Sequence, residues 1–191
     1  MQLHQLLSGH HGERAGRMLR VGVYVMRLFI AVNLNDEMKD ALTEIQVDMH
    51  QAGVTGNFTR RENMHMTLAF IGEYSDPELV KEVMERVHLE PFEIGLNGLG
   101  TFRNLWWAGL TGSGHLNIAA QRLRRALADA GIPYDRKKFL PHITLVRQPK
   151  IAGGRIPEEI LENLPEAGMI VDHISLMRSD RGKNGVVYTE L

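Results

Sequence analysis

Two short stretches decide the fold of this chain: His65–Ile71, which reads HMTLAFI, and Leu140–Val146, which reads LPHITLV. Both have the apolar, β-favouring composition of a buried strand. Pro141 stands at the start of the second stretch, where a strand tolerates a missing hydrogen-bond donor. Each stretch contains the same motif, His-x-Thr-Leu. The sequence therefore predicts two strands that each carry one copy of the motif.

The sequence around these two strands is also repeated. Phe29, in the first apolar run of the folded part, precedes His65 by 36 residues, and Trp106 precedes His142 by 36. A glycine that ends a predicted helix lies 12 residues before the first histidine and 11 before the second. Each unit runs strand, helix, glycine, loop and motif strand, and such a repeat constrains the whole fold. If the two units are related by a pseudo-twofold axis, their motif strands would lie opposite each other across a groove.

The remaining pattern is that of an α+β protein, in which we expect two antiparallel sheets to line a central cleft with helices outside. Ser75 and Glu78 have the spacing of a capping box with Pro77 early in the helix. The predicted strands are 27–32, 65–71, 92–96, 105–110, 140–146, 169–177 and 186–189, and the predicted helices begin near 35, 75, 114 and 157.

Composition limits the class of protein. The chain has 191 residues, 43% of them hydrophobic, which suits one domain or two small fused lobes. We expect residues 1–25 to be a flexible N-terminal extension, because they lack a periodic apolar pattern, and residues 26–191 to form a two-lobed domain. A net charge of −1 provides no global field for long nucleic acids. No segment approaches the ~20 apolar residues of a membrane helix. The absence of cysteine excludes thiolate chemistry and fits a cytoplasmic protein.

The paired motifs favour acid–base chemistry. Side chains alternate between the two faces of a strand, so His65 and Thr67 share one face, and His142 and Thr144 share the corresponding face. Two imidazoles with an ordinary pKa of about 6.5 can remove a proton from water and deliver one to a leaving oxygen. Threonine hydroxyls can donate hydrogen bonds to phosphate oxygens. Such a set suits the opening of a cyclic phosphodiester.

Other residues near the second motif are candidates for substrate binding. Arg147 could form a charge-assisted contact with the phosphate. In a regular strand it would share the face of Leu145, so this contact requires a bulge or the end of the strand. Phe139 could stack on a base, although filling the edge of a lobe is an equal alternative. Arg136–Lys138 could meet a polynucleotide backbone.

The alternative for a single His-x-Thr-Leu is a half-buried structural histidine, because such a motif occurs by chance in many proteins. Two copies in matching strand contexts favour function.

These residues resemble the two-histidine phosphoesterase superfamily and, within it, the bacterial and archaeal RNA 2′,3′-cyclic phosphodiesterases, historically called 2′-5′ RNA ligases. The resemblance covers residues 26–191 and is carried by Arg27–Ala31, Glu62–Gly72, Phe139–Arg147 and the closing stretch that starts at Val171. It implies a bilobal fold and hydrolysis of a terminal 2′,3′-cyclic phosphate to a 2′-phosphate, without metal or other cofactor. It also implies the reverse reaction, 2′-5′ ligation of RNA.

The expected partners are therefore RNA ends that carry a 2′,3′-cyclic phosphate, with tRNA fragments among the candidates. We expect a monomer that does not associate with membranes, with His142 as the base and His65 as the acid. Two alternatives stay open. The same catalysis could act on a 2′-5′ oligonucleotide or a nucleotide-sugar cyclic phosphate, or the chain could be a non-catalytic module that binds RNA ends.

Overall fold

The computed structural model describes residues 24–191. Most of the predicted extension 1–25 lies outside the described residues. The strands are β1 Met26–Asn33, β2 Thr55–Phe58, β3 His65–Tyr74, β4 Phe92–Phe102, β5 Leu105–Leu110, β6 Ile143–Lys150, β7 Gly168–Val171, β8 Ser175–Gly182 and β9 Gly185–Glu190. The helices are α1 Asp36–Gln51, α2 Pro77–Glu85, α3 Ser113–Asp129 and α4 Glu158–Glu162, with a 3₁₀ turn at Arg61–Asn63.

Two antiparallel sheets form the framework. The four-stranded sheet has the order β3-β1-β8-β9, and the five-stranded sheet has the order β2-β6-β5-β4-β7. One continuous hydrophobic core joins them, since buried side chains from β1, α1, β3, α3 and β6 belong to the same cluster. The prediction of an α+β fold with two antiparallel sheets is confirmed.

The duplication inferred from spacing corresponds to two equivalent strand pairs. β1 pairs antiparallel with the motif strand β3, with Asn33 opposite His65. β5 pairs antiparallel with the motif strand β6, with Ala108 opposite Ile143. Each pair is joined through one long helix, α1 or α3, which ends shortly before a glycine with positive φ, Gly53 at 87° and Gly131 at 71°. The repeat therefore places the two motif strands in equivalent positions of different sheets.

The start of α2 differs from the prediction. The N-cap is Asp76, whose Oδ1 accepts a hydrogen bond from the Leu79 backbone N–H at 3.0 Å. Because Pro77 occupies the first helical position, the helix starts one residue later than a Ser75 cap requires. Glu78 therefore lies one position too early for the expected capping box, and that prediction was wrong.

Three strand predictions also differ from the structure. The single strand expected over 169–177 is two strands in different sheets, β7 and β8, because the chain crosses between the sheets at 172–174. The edge strand β2 was not predicted, since its sequence TGNF lacks an apolar pattern. The second motif strand begins at Ile143, so His142 directly precedes the ladder.

Candidate active site

A cleft of about 590 Å³ lies between the two sheets and contains both motifs. The four-stranded sheet contributes residues of β1, β3, β8 and β9, and the five-stranded sheet contributes residues of β2 and β6. The lining residues are Arg27, Phe29, Asn57, Phe58, Thr59, Arg60, Asn63, His65, Thr67, Phe70, His142, Thr144, Arg147, Ser179, Asn184, Gly185, Val186 and Tyr188. Both histidines and both threonines predicted from the motifs therefore meet in one cavity.

The two imidazoles are held by the same backbone contact. His65 Nδ1 lies 2.7 Å from the Asn63 carbonyl oxygen, and His142 Nδ1 lies 2.7 Å from the Leu140 carbonyl oxygen. Each carbonyl belongs to the residue two positions before its histidine. Because a carbonyl can only accept, Nδ1 must carry the proton in both rings. The neutral rings therefore each have a lone pair on Nε2, and His65 Nε2 lies 3.0 Å from Thr67 Oγ1.

Aromatic rings flank each histidine. His65 packs against Phe29 and Tyr188, with ring centroids 4.9 and 5.1 Å away, and these two rings also contact each other. His142 lies beside Phe102 and Trp107, at 5.3 and 6.1 Å. These rings restrict the rotation of the imidazoles and remove water from around them. The contact between Phe102 and His142 was not anticipated, because it joins β4 to the residue just before β6, and the two are distant in sequence.

Both histidines have a depressed pKa. Burial lowers the pKa of His65 below its ordinary value of 6.5, and the positive charge of Arg147 lowers it further, against the opposing effect of the Asn63 carbonyl. Burial and Arg147 likewise lower the pKa of His142, against the opposing effect of the Leu140 carbonyl. Both rings are therefore neutral at pH 7 in the empty cleft. A bound phosphate would favour protonation of one of them.

A β-bulge in each motif strand determines what lies beyond the threonine. In β6, Thr144 and Val146 face consecutive residues of β5, so Leu145 has no partner in that ladder. The extra residue shifts the alternation and places Arg147 in the cleft lining. In a regular strand Arg147 would share the face of Leu145, and this bulge is the irregularity that Arg147 needs in order to face the cleft. In β3, Thr67 and Ala69 face consecutive residues of β1, and Leu68 is the extra residue.

Each bulge is contacted by a helix of the other repeat. Gln46 of α1 donates from Nε2 to the carbonyl of Leu145 at 2.9 Å and to the carbonyl of Thr59 at 2.8 Å. Arg124 of α3 donates from Nε to the carbonyl of Leu68 at 3.1 Å. Gln46 lies seven residues before Gly53, and Arg124 lies seven before Gly131, so the two contacts are equivalent in the repeat.

The cleft is positively charged. Arg27, Arg60 and Arg147 line it, and among the described residues that line it none is acidic. The Arg27 guanidinium lies 4.8 Å from the centroid of the Phe70 ring, which stands three residues beyond Thr67 as Arg147 stands three beyond Thr144. A chain of net charge −1 thus concentrates positive charge where an anion would bind.

Phe139 is placed outside the cleft lining. Its ring packs against Arg124, whose guanidinium carbon lies 5.3 Å from the ring centroid, and against the hydrophobic core. Five of the six candidate residues therefore line the cleft, and Phe139 does not.

Within residues 24–191, no group of three or more His, Cys, Asp or Glu is arranged to hold a metal ion. None of the described helices is long and apolar enough to cross a membrane.

The cleft with two equivalent histidines is the arrangement of a two-histidine phosphoesterase, and comparisons with known proteins agree. The family model of the 2′-5′ RNA ligase superfamily matches residues 35–183. An RNA 2′,3′-cyclic phosphodiesterase of Thermus thermophilus is 33% identical over 181 residues, covering 87% of this chain and 88% of the relative. One of Thermotoga maritima is 28% identical over 183 residues, covering 87% and 93%.

The crystal structure of E. coli LigT in apo form superposes with a TM-score of 0.73 at 26% identity, covering 87% of this chain and 95% of LigT. The complex of LigT with 3′-AMP gives a TM-score of 0.70 at 25% identity, with the same coverage. The chain therefore belongs to the 2′-5′ RNA ligase superfamily and is an enzyme of the two-histidine phosphoesterase class. This confirms the resemblance carried by the motifs.

Proposed function

We propose that this enzyme hydrolyses the terminal 2′,3′-cyclic phosphate of an RNA to a 2′-phosphate, with His65 and His142 as the acid–base pair. The observation that carries the proposal is the pair of imidazoles in one positively charged cleft, both protonated at Nδ1, so that the lone pair of each neutral ring is on Nε2. The relatives are RNA 2′,3′-cyclic phosphodiesterases, and LigT has been crystallised with 3′-AMP.

In the proposed reaction, His142 Nε2 takes a proton from a water molecule, whose oxygen attacks the phosphorus. The bond from phosphorus to the 3′ oxygen breaks, and protonated His65 gives its Nε2 proton to that oxygen. The products are a 2′-phosphate and a 3′-hydroxyl. We assign the base role to His142 because His65 Nε2 is already engaged by Thr67.

Binding of the substrate itself would give the two histidines the protonation states that the reaction needs. The empty cleft holds two neutral histidines, and catalysis needs one of them protonated. The negative phosphate raises the pKa of the nearest imidazole by favouring its charged form. Thr67, Thr144 and Arg147 line the cavity and can donate hydrogen bonds to the phosphate oxygens. The same arrangement run in reverse would join a cyclic-phosphate end to a 5′-hydroxyl through a 2′-5′ bond.

The direct test is incubation of the purified protein with an RNA that ends in a 2′,3′-cyclic phosphate, followed by end-group analysis. We expect 2′-phosphate ends. Exclusive formation of 3′-phosphate ends would contradict the direction of attack, and no turnover would contradict the activity. Parallel incubations with a 2′-5′ oligonucleotide and a nucleotide-sugar cyclic phosphate compare the alternative substrates.

The proposed mechanism needs no metal ion, because the two imidazoles carry out both proton transfers and Arg147 supplies positive charge. We therefore expect turnover to be unchanged by EDTA. Loss of activity in EDTA, with recovery on adding a divalent ion, would contradict a metal-free mechanism. Because both histidines and both threonines of the paired motifs come from the same chain, the pair needs no second copy, and we propose that the enzyme acts as a monomer, on RNA ends such as tRNA fragments in the cytoplasm.

A further inference from the structure

The loop before the second motif, Tyr134–Phe139, forms a basic rim beside the cleft. Its backbone is tied to the motif strand β3, since the Asp135 N–H donates to the Phe70 carbonyl at 2.7 Å. The Phe70 side chain lines the cleft, and the rim continues to Leu140, whose carbonyl holds His142. The rim therefore runs along one end of the cleft, from Phe70 to the second catalytic histidine.

Contacts with α3 fix the conformation of this basic rim. Arg124 donates from Nη1 to the Lys137 carbonyl at 2.8 Å, and its guanidinium stacks beside Phe139 at 5.3 Å and Tyr134 at 5.9 Å. The side chains of Arg136 and Lys138 remain exposed to solvent. A preordered backbone with exposed cations loses little conformational entropy when it binds an anionic strand.

A comparison of the two repeat units within residues 24–191 shows that only the second unit has unpaired positive charge before its motif. Lys138 lies four residues before His142, and its counterpart Arg61 lies four before His65. Arg61 is neutralised by hydrogen-bonded ion pairs with Asp36 and Asp40 of α1, at 2.9 and 2.8 Å. The equivalent helix α3 has no acidic residue before its last position, Asp129.

Within the described part of the chain, no acidic side chain forms an ion pair with Arg136 or Lys138. Lys137 differs, because its Nζ lies 3.5 Å from Asp135 Oδ2. One half of the repeat thus neutralises its cation at this position, Arg61, and the other half leaves Arg136 and Lys138 without an ion pair among the described residues at the edge of the cleft.

We propose that Arg136 and Lys138 bind the phosphate backbone of the RNA as it leaves the cleft past Phe70. This inference rests on the proposed function, because it takes the strand with the reactive end to be an RNA. Lys and Arg contacts to phosphates position a strand without reading its sequence. The basic rim would therefore add affinity for RNA chains over single nucleotides, with no preference among sequences.

The test compares the double variant Arg136→Ser/Lys138→Ser with the wild type on two substrates: a nucleoside 2′,3′-cyclic phosphate and an RNA of about ten nucleotides with the same end. Binding of the same RNA with a 3′-phosphate end, followed by fluorescence anisotropy, is measured as well. We expect Kd and KM for the RNA to rise roughly tenfold at about 0.1 M salt, and the slope of log Kd against log salt to fall by about 1.4. The KM for the single nucleotide should stay unchanged.

The matched control is Arg86→Ser/Arg155→Ser, which removes two exposed cations that do not line the cleft. Unchanged RNA binding in the first variant, or an equal loss in the control, would overturn the proposal. An equal rise in KM for the single nucleotide would also overturn it, because the residues would then act on the reacting group. The binding measurement does not depend on turnover, so failure of the proposed activity and failure of this inference give different results.

A second inference comes from the two helix-to-bulge contacts and is independent of surface charge. We infer that Gln46 is a positioning residue, which holds the β6 bulge and so directs Arg147 into the cleft. The carbonyl of Leu145 is left out of the β5–β6 ladder, and Gln46 and the Thr59 N–H are its donors, both at 2.9 Å. Gln46 is 8% exposed, so the loss of its amide removes one of the two donors to this carbonyl at a position that water cannot easily reach.

The test is a double-mutant cycle between Gln46→Met, which keeps the shape and removes the amide, and Arg147→Ala. Inorganic phosphate serves as the probe, and binding is measured by calorimetry. We expect Gln46→Met to weaken phosphate binding roughly tenfold, and Arg147→Ala to have little further effect in that background. Ile45→Val on the same helix controls for lost stability. Additive effects of the two substitutions, or unchanged binding in Gln46→Met, would overturn the assignment.

Discussion

At the scale of single residues, the backbone carbonyls of Asn63 and Leu140 determine the tautomer of the two histidines. The choice of tautomer leaves Nε2, the atom beside Thr67 Oγ1 in the first motif, for proton transfer. Because both rings are held in the same way, the different roles proposed for them depend on the substrate and on their neighbours.

Replacement of either histidine by alanine tests this pairing. We expect His65→Ala and His142→Ala each to lower kcat by at least about 10²-fold. The double variant should lose much less than the product of the two effects, because residues that act as a unit lose most of their contribution at the first removal. His173→Ala, on an exposed residue outside the cleft, is the control.

Circular dichroism should accompany these kinetics. His65 packs against Phe29 and Tyr188 and is more buried than His142, so its replacement should reduce stability more than that of His142. Full activity in either variant would remove that histidine from the catalytic pair, and global unfolding would indicate a structural role.

The depressed pKa values of His65 and His142 predict how the rate depends on pH. In the free enzyme both imidazoles lose their protons below pH 6.5, so the bell-shaped profile of kcat/KM should have its maximum below about 6.5. A bound phosphate raises the pKa of the acid. The alkaline limb of kcat should therefore lie at higher pH than that of kcat/KM. Steady-state kinetics across pH provide the measurement, and coincident limbs would contradict this account.

The same pKa values have a consequence for folding. Below pH 6.5 the unfolded chain binds protons at these two positions more readily than the folded chain does. The contribution of the two neutral histidines to stability is therefore fully present above that pH, and it is lost as pH falls from 6.5 through the lower pKa of each histidine in the folded state.

At the scale of strands and helices, the sequence predicts the elements whose conformation is encoded by their own residues. The motif strands, α1 and α3 follow from apolar periodicity and from the glycines that end the helices. β2 did not follow, because TGNF is ordered by its pairing with β6. The break between β7 and β8 also depends on long-range pairing, since Ser175 is buried opposite Ala31.

The candidate site shows the same division. His65, Thr67, His142 and Thr144 could be selected from sequence because they repeat. Arg147 needed a bulge, and the position of that bulge depends on the ladder with β5 and on a donor from α1. The contact between Gln46 and Leu145 joins residues that are 99 positions apart in the chain. The alternation of side chains along a single strand cannot predict such a contact.

Gly100 on β4 offers a test of how the strands support His142. Gly100 lies opposite Trp107 of the neighbouring strand β5, and the Trp107 ring packs over it. A Cβ at position 100 would therefore overlap this ring. The Trp107 indole nitrogen is buried without a partner among the described residues, so packing alone holds the ring. We expect Gly100→Ala to destabilise the protein by roughly 1–3 kcal/mol and to lower kcat, because the ring flanks His142.

Thermal unfolding and steady-state kinetics measure the two effects. Gly114→Ala is the matched control, because no atom lies within 4 Å of its added Cβ. It should leave both kcat and the melting temperature nearly unchanged. If Gly100→Ala behaved like this control, the ring would have room to move, and its packing would not support His142.

At the scale of the whole molecule, the duplication explains how a small chain builds a two-sided site. Each repeat supplies one imidazole, one threonine and a bulge just beyond the threonine, and each long helix contacts this bulge in the other repeat. The two halves therefore depend on each other for the geometry of the cleft. The two halves also differ in two places: Phe70 and Arg147 occupy equivalent positions, and the charge of the basic rim is left uncompensated in one half only.

The last prediction concerns where the folded unit begins. β1 starts at Met26, which pairs with Tyr74, while Tyr24 and Val25 are 68% and 49% exposed. A chain that begins at Met26 retains every strand pair, so deletion of residues 1–25 should change the melting temperature by less than about 4 °C, equivalent to about 1 kcal/mol. Deletion of residues 1–28 is the contrasting control. It also removes Arg27, which stacks on Phe70 and lines the cleft, and should reduce both stability and phosphate binding. A large fall in melting temperature after the shorter deletion would show that residues 1–25 contribute to the folded structure.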